Sequence, residues 1–257
     1  MNVAVKQAFF PAITFLGRIR EQRFFTGPPV LIGGAPRSGT TLLLSVLSSH
    51  RDIFACPREL GLFNQVLPGK DGAPRPARID RLYRTLLTHR IPREAKRWCE
   101  KSPGNIHRVE DIDSYFKGRF RMIQIVRDGR DVILSRHPKR PNEYYVEPEI
   151  WIRDVQQGIP YLKHPKMLTI RYEDLILQYG DTIWKICEFL EMDLSPEVRD
   201  WHSHATVTRN KALYGKMEKL TSRSIGKWKS KEFRQRVEQL TRIPEAVKLL
   251  HTFGYEA

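Results

Sequence analysis

Residues 30–44, Val-Leu-Ile-Gly-Gly-Ala-Pro-Arg-Ser-Gly-Thr-Thr-Leu-Leu-Leu, decide the fold. Val30 to Ile32 form a short apolar run with the pattern of a buried strand. Gly33 and Gly34 interrupt it, and Pro36 restricts the chain to a turn. Ser38, Gly39, Thr40 and Thr41 then open an apolar helix that runs on through Leu47. Strand, Gly-rich turn and helix N-terminus together make an anion cradle. Unpaired backbone N–H groups and the positive end of the helix dipole point at one spot.

The cradle departs from the common triphosphate-binding loop. That loop reads G-x-x-x-x-G-K-[ST], with the Lys on the β/γ-phosphates and the hydroxyl on Mg²⁺. Gly34 and Gly39 keep the spacing, but Thr40 stands in the Lys position and Arg37 supplies positive charge from within the turn. The loop is expected to bind a phosphate-like group without the usual triphosphate and metal equipment. An ordinary βα turn with a Ser/Thr cap is the structural alternative.

Working outward, strand and helix patterns alternate from residue 30 to residue 190. Ile53–Cys56, Arg97–Lys101, Phe120–Val126 and Met167–Tyr172 read as strands. Helical spacing appears at 79–87, 106–116, 132–135, 144–162 and 183–190, with two short helices closing the chain. This predicts an α/β fold of P-loop type: a parallel sheet with helices on both faces and ligands at the carboxyl ends of the strands. Arg37, Glu59, Lys101, Arg127 and Tyr172 all fall just past predicted strand ends, so they are expected to share one cleft. The chain reads as one domain over 1–257. An N-terminal amphipathic helix lies within 1–28, the nucleotide-binding and catalytic core spans 30–230, and C-terminal helices occupy 231–257.

The 257 residues suffice for a sizeable core, and 40% are apolar. A net charge of +15 favours anionic partners. The cations are spread along the chain rather than gathered in a tail, which argues against a nucleic-acid arm. Cys56, Cys99 and Cys187 are odd in number and without a C-x-x-C pair, so neither a disulfide framework nor a zinc site is expected and a reducing, cytoplasmic setting fits. No run reaches membrane-spanning length. Residues 1–16 lack a clean signal-peptide pattern. Residues 1–20 are expected to pack on the domain, with peripheral membrane contact as the alternative.

A second anion site is legible at Val126–Ser135. Arg127 ends a strand, Asp128 is placed to cap the next helix, and Ser135 is expected two turns along that helix. Arg offers a fork of donors and Ser a hydroxyl.

At this point the sequence resembles the sulfotransferases that use 3′-phosphoadenosine 5′-phosphosulfate. Their 5′-phosphosulfate loop is similar to Ala35–Thr41, and their 3′-phosphate motif to Val126–Ser135. Three further blocks, Glu100–Pro103, Arg171–Leu175 and Ile225–Trp228, stand in the family's order. Among branches the resemblance is greatest to tyrosylprotein sulfotransferases and bacterial enzymes sharing their loop. It implies that Arg37, Ser38, Gly39, Thr40 and Thr41 hold the 5′-phosphosulfate, and that Arg127 and Ser135 hold the 3′-phosphate with help from Lys139. Tyr172 and Lys227 would close over the nucleotide. Arg37 and Lys101 would stabilise charge during transfer, and Glu59 would be the general base, with His50 and His107 as rival bases. Tyr172 as a core tyrosine and Trp228 as packing remain open.

The donor implied is 3′-phosphoadenosine 5′-phosphosulfate, with no metal. The acceptor is a hydroxyl on a saccharide, a lipid-linked sugar or a tyrosine peptide, with Tyr144, Tyr145 and Trp151 as aromatic candidates for sugar stacking. The competing functions are a P-loop kinase of a small metabolite and a non-catalytic nucleotide-binding protein. Mg²⁺-dependent ATP binding marks the first, and nucleotide binding without turnover marks the second.

Overall fold

A computed structural model describes residues 10–69, 72, 74–210, 215–216 and 222–256. Five strands form the central sheet: β1 (Val30–Gly33), β2 (Ile53–Ala55), β3 (Arg97–Lys101), β4 (Arg121–Val126) and β5 (Met167–Arg171). Their order is β2-β3-β1-β4-β5 and every pairing is parallel. The register sets Ile32 beside Lys101 on one flank and beside Ile123 on the other. β2 and β3 lie on one side of β1, and β4 and β5 on the other. The order therefore reverses beside β1, which is where ligands gather in open parallel sheets.

The helices used below are α1 (Phe10–Phe24), α2 (Thr40–Leu47), α3 (Ile79–Thr88), α4 (Val109–Phe116), α5 (Gly129–Val132), α6 (Pro148–Gln156), α7 (Tyr172–Leu177), α8 (Tyr179–Phe189), α9 (Arg234–Thr241) and α10 (Pro244–Thr252). Strand alternation sorts the core into two layers. Val30, Ile32, Ile53, Ala55, Cys99, Ile123 and Ile125 face one side, against α2 and α8. Leu31, Phe54, Trp98 and Met122 face the other, against α3 and α4. A third cluster joins Val126, Val132, Trp151 and the closing helices α9 and α10. The three cysteines are free and buried.

Three helical expectations are corrected. The run 132–135 is not helical beyond Val132: α5 is a single turn, and Ser135 lies past it. Val132, Ile133 and Leu134 are all buried. A continuous apolar run carries no period to distinguish a helix from other buried backbone. Pro138 then opens the turn of a hairpin, Arg136–His137 against Arg140–Tyr144, and Ser135 O accepts the Tyr145 N–H at 2.8 Å. The 144–162 helix is shorter, because Pro148 fixes its first turn and α6 ends at Gln156. The 106–116 helix begins as a 3₁₀ segment, Pro103–Arg108, with the Asn105 amide drawn to Ile32 O at 3.1 Å.

Of the N-terminal segment, residues 1–9 lie outside the described residues. The described part packs on the domain through α1. Among the described residues no helix is long and apolar enough to cross a membrane.

Candidate active site

The cradle is built from backbone that only particular residues tolerate. Gly34 has φ +139°, and a Cβ there would stand 2.3 Å from Ile125 O. Gly39 has φ +97°, and its Cβ would meet the Tyr172 ring at 2.4 Å. Between them Arg37 takes φ 69°, uncommon for a side-chain-bearing residue. Gly39 is the N-cap of α2 and makes no side-chain cap bond, so the first-turn N–H groups stay open. The Arg37 Nε and Ser38 Oγ are buried without a partner, and so is the Arg127 Nε. A buried unpaired polar group costs about 1–3 kcal/mol. Three such groups around one turn mark where an anion completes the structure. Burial, and then the neighbouring Arg127 charge, hold Arg37 below the ordinary arginine range.

Arg127 comes from the adjacent strand end. One Nη donates to Arg37 O at 3.1 Å and the other to Ser224 O. Its guanidinium lies 4.5 Å from the Tyr172 ring centre, and the Tyr172 hydroxyl meets Ser224 Oγ at 2.8 Å. Tyr172 is buried, yet it faces the cluster rather than only the core. Asp128 caps α5 as expected, accepting the Arg130 N–H at 2.9 Å. Asp131 accepts the N–H groups of Gly226 at 2.7 Å and Trp228 at 3.1 Å, and Arg130 stacks 3.6 Å over the Trp228 ring. Residues 224–228 are thereby pinned over the Arg127 turn, with Lys227 exposed. Burial pushes Asp131 above the ordinary aspartate value. Ser135 is half-buried at the foot of the hairpin, so its expected helical alignment with Arg127 does not hold. Lys139 is exposed in the hairpin turn and shares no helix with Ser135. Thr40 is buried at the start of α2, and Thr41 is half-buried beside it.

At the neighbouring strand end Lys101 Nζ donates to Glu59 Oε2 at 2.8 Å. The rival bases are otherwise engaged. The His50 ring accepts the Asp52 N–H at Nδ1 (3.1 Å), and its Nε2 donates to Asp193 O (2.8 Å). His107 Nε2 pairs with Asp154 Oδ1 at 2.8 Å. Trp151 is wholly buried and donates its indole N–H to Arg127 O, which excludes it from stacking on a sugar. Tyr144 is held between Arg136 and Arg236. Tyr145 is exposed, with its ring edge-on to His137 at 5.3 Å between centres.

Four residues emerge only from the structure. Glu100 is wholly buried behind the Glu59–Lys101 pair. One of its oxygens accepts the N–H groups of Leu60 (3.1 Å) and Gly61 (3.3 Å) and the Ser102 hydroxyl, and the other accepts the Asn105 amide at 2.9 Å. Glu173 accepts the Asp128 N–H and the Tyr255 hydroxyl, fixing the Arg127 turn from below. Ser224 and Asp131 secure residues 224–228. Glu100, Glu173 and Asp131 sit inside the sequence blocks, but only their partners disclose what they do. Among the described residues no group of three or more His, Cys, Asp or Glu side chains is placed to hold a metal ion.

A parallel sheet with a glycine-framed phosphate turn beside its reversal point defines an α/β nucleotide-binding protein of P-loop type. Residues 28–196 match the model of the Sulfotransferase family, and the chain belongs to that family. Sulfotransferase 2A1 of Homo sapiens is 29% identical over 102 residues, covering 33% of this chain and 36% of the human protein. The match thus spans about a third of that relative's length. Among solved structures, the sulfotransferase domain from the curacin biosynthetic pathway has a TM-score of 0.64 at 18% identity, covering 90% of this chain and 99% of that domain. The sulfotransferase domain from the Synechococcus PCC 7002 olefin synthase gives 0.64 at 19%, covering 91% and 96%. Mouse sulfotransferase SULT7A1, complexed with PAP, gives 0.52 at 16%, covering 94% and 93%. At these identities the shared property is the fold.

Proposed function

We propose that the protein transfers a sulfuryl group from 3′-phosphoadenosine 5′-phosphosulfate to a hydroxyl of a carbohydrate or glycolipid acceptor, as a single domain over 1–257. The observation that carries this is the set of unpartnered buried groups, Arg37 Nε, Ser38 Oγ and Arg127 Nε, around the β1–α2 turn. They fit an anionic group of the nucleotide seated on that turn. The nucleotide supplies an activated sulfuryl group on a good leaving phosphate. The turn from Arg37 to Thr41 holds the 5′ end through its N–H groups and hydroxyls. Arg127 holds the 3′-phosphate, with Ser135 offering its hydroxyl from the segment past α5, while Tyr172 and Lys227 border the nucleotide.

Glu59 takes the proton from the acceptor hydroxyl as its oxygen attacks sulfur, and the sulfur–oxygen bond to the leaving phosphate breaks. Lys101 and Arg37 offset the charge that develops on that oxygen. The exposed Tyr145 offers an aromatic face for a sugar ring, and the net charge of +15 favours an acidic acceptor.

The test is calorimetric titration with 3′-phosphoadenosine 5′-phosphate, without metal, on the wild type and on Arg127→Ala, followed by acceptor screening. Micromolar binding that collapses in the variant supports the donor site. Absence of binding in the wild type overturns the proposal, and Mg²⁺-dependent ATP binding in its place would identify a small-metabolite kinase. Tight nucleotide binding with no turnover on saccharide, lipid-linked sugar or tyrosine peptide would identify a nucleotide-binding protein.

A further inference from the structure

Helix α1, Phe-Pro-Ala-Ile-Thr-Phe-Leu-Gly-Arg-Ile-Arg-Glu-Gln-Arg-Phe, has two unlike faces. At ~100° per residue, Ile13, Gly17, Glu21 and Phe24 fall on one side. That side is fully engaged. Ile13 and Phe24 pack against the second core layer. Gly17 lies so close to α3 that a Cβ there would stand 2.2 Å from the Tyr83 Cβ. Glu21 accepts the Trp98 indole N–H at 2.8 Å. These contacts fix the rotation of the helix and leave Phe15, Leu16 and Ile19 outward, with relative exposures of 66%, 53% and 48%.

The charges on α1 are sorted in the same way. Of its four charged residues, Arg18, Arg20, Glu21 and Arg23, the one carboxylate is turned into the protein. Arg18 is exposed at one edge of the apolar stripe, and Arg23 is exposed one turn beyond Ile19 on the same face. Scattered apolar side chains on a surface need no explanation, but three on one helical face, with arginine the only charged residue type exposed on that helix, form a patch with a defined chemistry. The apolar residues suit the headgroup–acyl boundary, and long Arg side chains reach from it to lipid phosphates. The excess of 15 positive charges over the whole chain adds long-range attraction to an anionic surface.

We propose that α1 docks Phe15, Leu16 and Ile19 into an anionic membrane surface, with Arg18 and Arg23 on the lipid phosphates. This peripheral contact does not depend on the transfer activity proposed above. The test is co-sedimentation of the full chain with phosphatidylcholine vesicles and with vesicles that also contain phosphatidylglycerol, at low and high salt. Binding to the anionic vesicles is expected, with affinity for neutral vesicles lower by about tenfold or more, since each Arg near an anionic surface contributes roughly a fivefold factor. The triple substitution Phe15→Ser, Leu16→Ser and Ile19→Ser is expected to weaken binding by about a hundredfold or more while leaving the thermal midpoint and nucleotide binding unchanged. Absence of binding to anionic vesicles, or binding that the triple variant retains, overturns the proposal. A concentration-dependent dimer that the triple variant dissolves, without vesicle binding by the wild type, would instead assign the face to a second copy of the chain.

Discussion

Lys101 Nζ lies 2.8 Å from Glu59 Oε2, and the two partners differ sharply in exposure. The Lys101 side chain is 10% exposed and that of Glu59 48%. A pair with one partner so open to water adds little to folding, typically under about 1 kcal/mol. The geometry is better suited to chemistry: the proposed base and the cation that would meet the leaving oxygen are paired with each other. Glu59→Gln is therefore expected to lower turnover by about 10²–10⁴-fold while shifting the thermal midpoint only slightly and leaving nucleotide affinity intact. Steady-state rates, calorimetry and a melting curve on one variant check all three. Retained turnover would remove Glu59 from the base role.

Glu100 is expected to govern that pair from behind without touching substrate. It holds the Leu60 and Gly61 N–H groups, the two that follow Glu59 in the chain. Glu100→Ala strands several buried donors and is expected to cost about 1–3 kcal/mol for each one left unpaired. Glu100→Gln keeps the shape and tests position. Turnover should fall more than nucleotide affinity, because Glu100 reaches the phosphate turn only indirectly, through Asn105 and Ile32 O. The pH dependence adds a second readout. Burial raises Glu100 above its ordinary value, so the folded chain keeps a proton that the unfolded chain loses above ~4.3. Between those two values the unfolded state binds fewer protons, and stability falls as pH rises. The Gln variant lacks this contribution. Relative to the wild type, its denaturation midpoint should improve as pH rises through the carboxylate range. A difference that does not change with pH would contradict the buried, proton-retaining state of Glu100.

The sequence made the frame of the molecule legible because its signals are local. Val30–Ile32 and Arg121–Val126 alternate between two core layers with period two, and Gly34 and Gly39 mark backbone that only glycine enters freely. Arg37, Lys101 and Arg127 followed from strand ends, since a parallel sheet brings all its carboxyl ends to one edge. Ser135 was misplaced because a wholly buried run such as Val132–Leu134 has no polar face to give it a period. Asp131 and Ser224 were silent for another reason. The Gly226 N–H that Asp131 accepts lies 95 residues away, and no local pattern reports a contact at that separation. Glu100 read as one residue of a strand, and its importance lies in Leu60 and Gly61, about 40 residues earlier.

Asp131 gives a prediction about motion. Its carboxylate accepts two backbone N–H groups, Gly226 and Trp228, and so ties the segment over the Arg127 turn. Asp131→Ala leaves both donors without that acceptor and removes a charge partner of Arg127. Amide hydrogen exchange at residues 224–228 is expected to accelerate by at least about tenfold, since losing even ~1.4 kcal/mol of local protection gives that factor. Nucleotide affinity should fall with it, and the exchange rates of β1 and β4 should not change. Uniform acceleration across the sheet would mean that Asp131 supports the fold as a whole.

The contact between Gly39 and Tyr172 supplies the sharpest steric test. At φ +97° an alanine is strained, and its Cβ would stand 2.4 Å from the Tyr172 Cδ2, well inside contact distance. Two responses are open to the chain. The ring can swing away, which breaks its bond to Ser224 and its stacking with Arg127. Alternatively, the turn can shift, which moves the N–H groups of the α2 N-terminus. Either response damages the anion site, so Gly39→Ala is expected to weaken nucleotide binding by at least about tenfold and to cost about 1–3 kcal/mol of stability. The double variant Gly39→Ala with Tyr172→Ala separates the two causes. It relieves the clash but not the strained φ, so stability should recover in part relative to Gly39→Ala alone. Nucleotide affinity should stay low, because the ring that packs on Arg127 is gone. Recovery of full affinity in the double variant would show that Tyr172 has no part in the site and only limits the space beside Gly39.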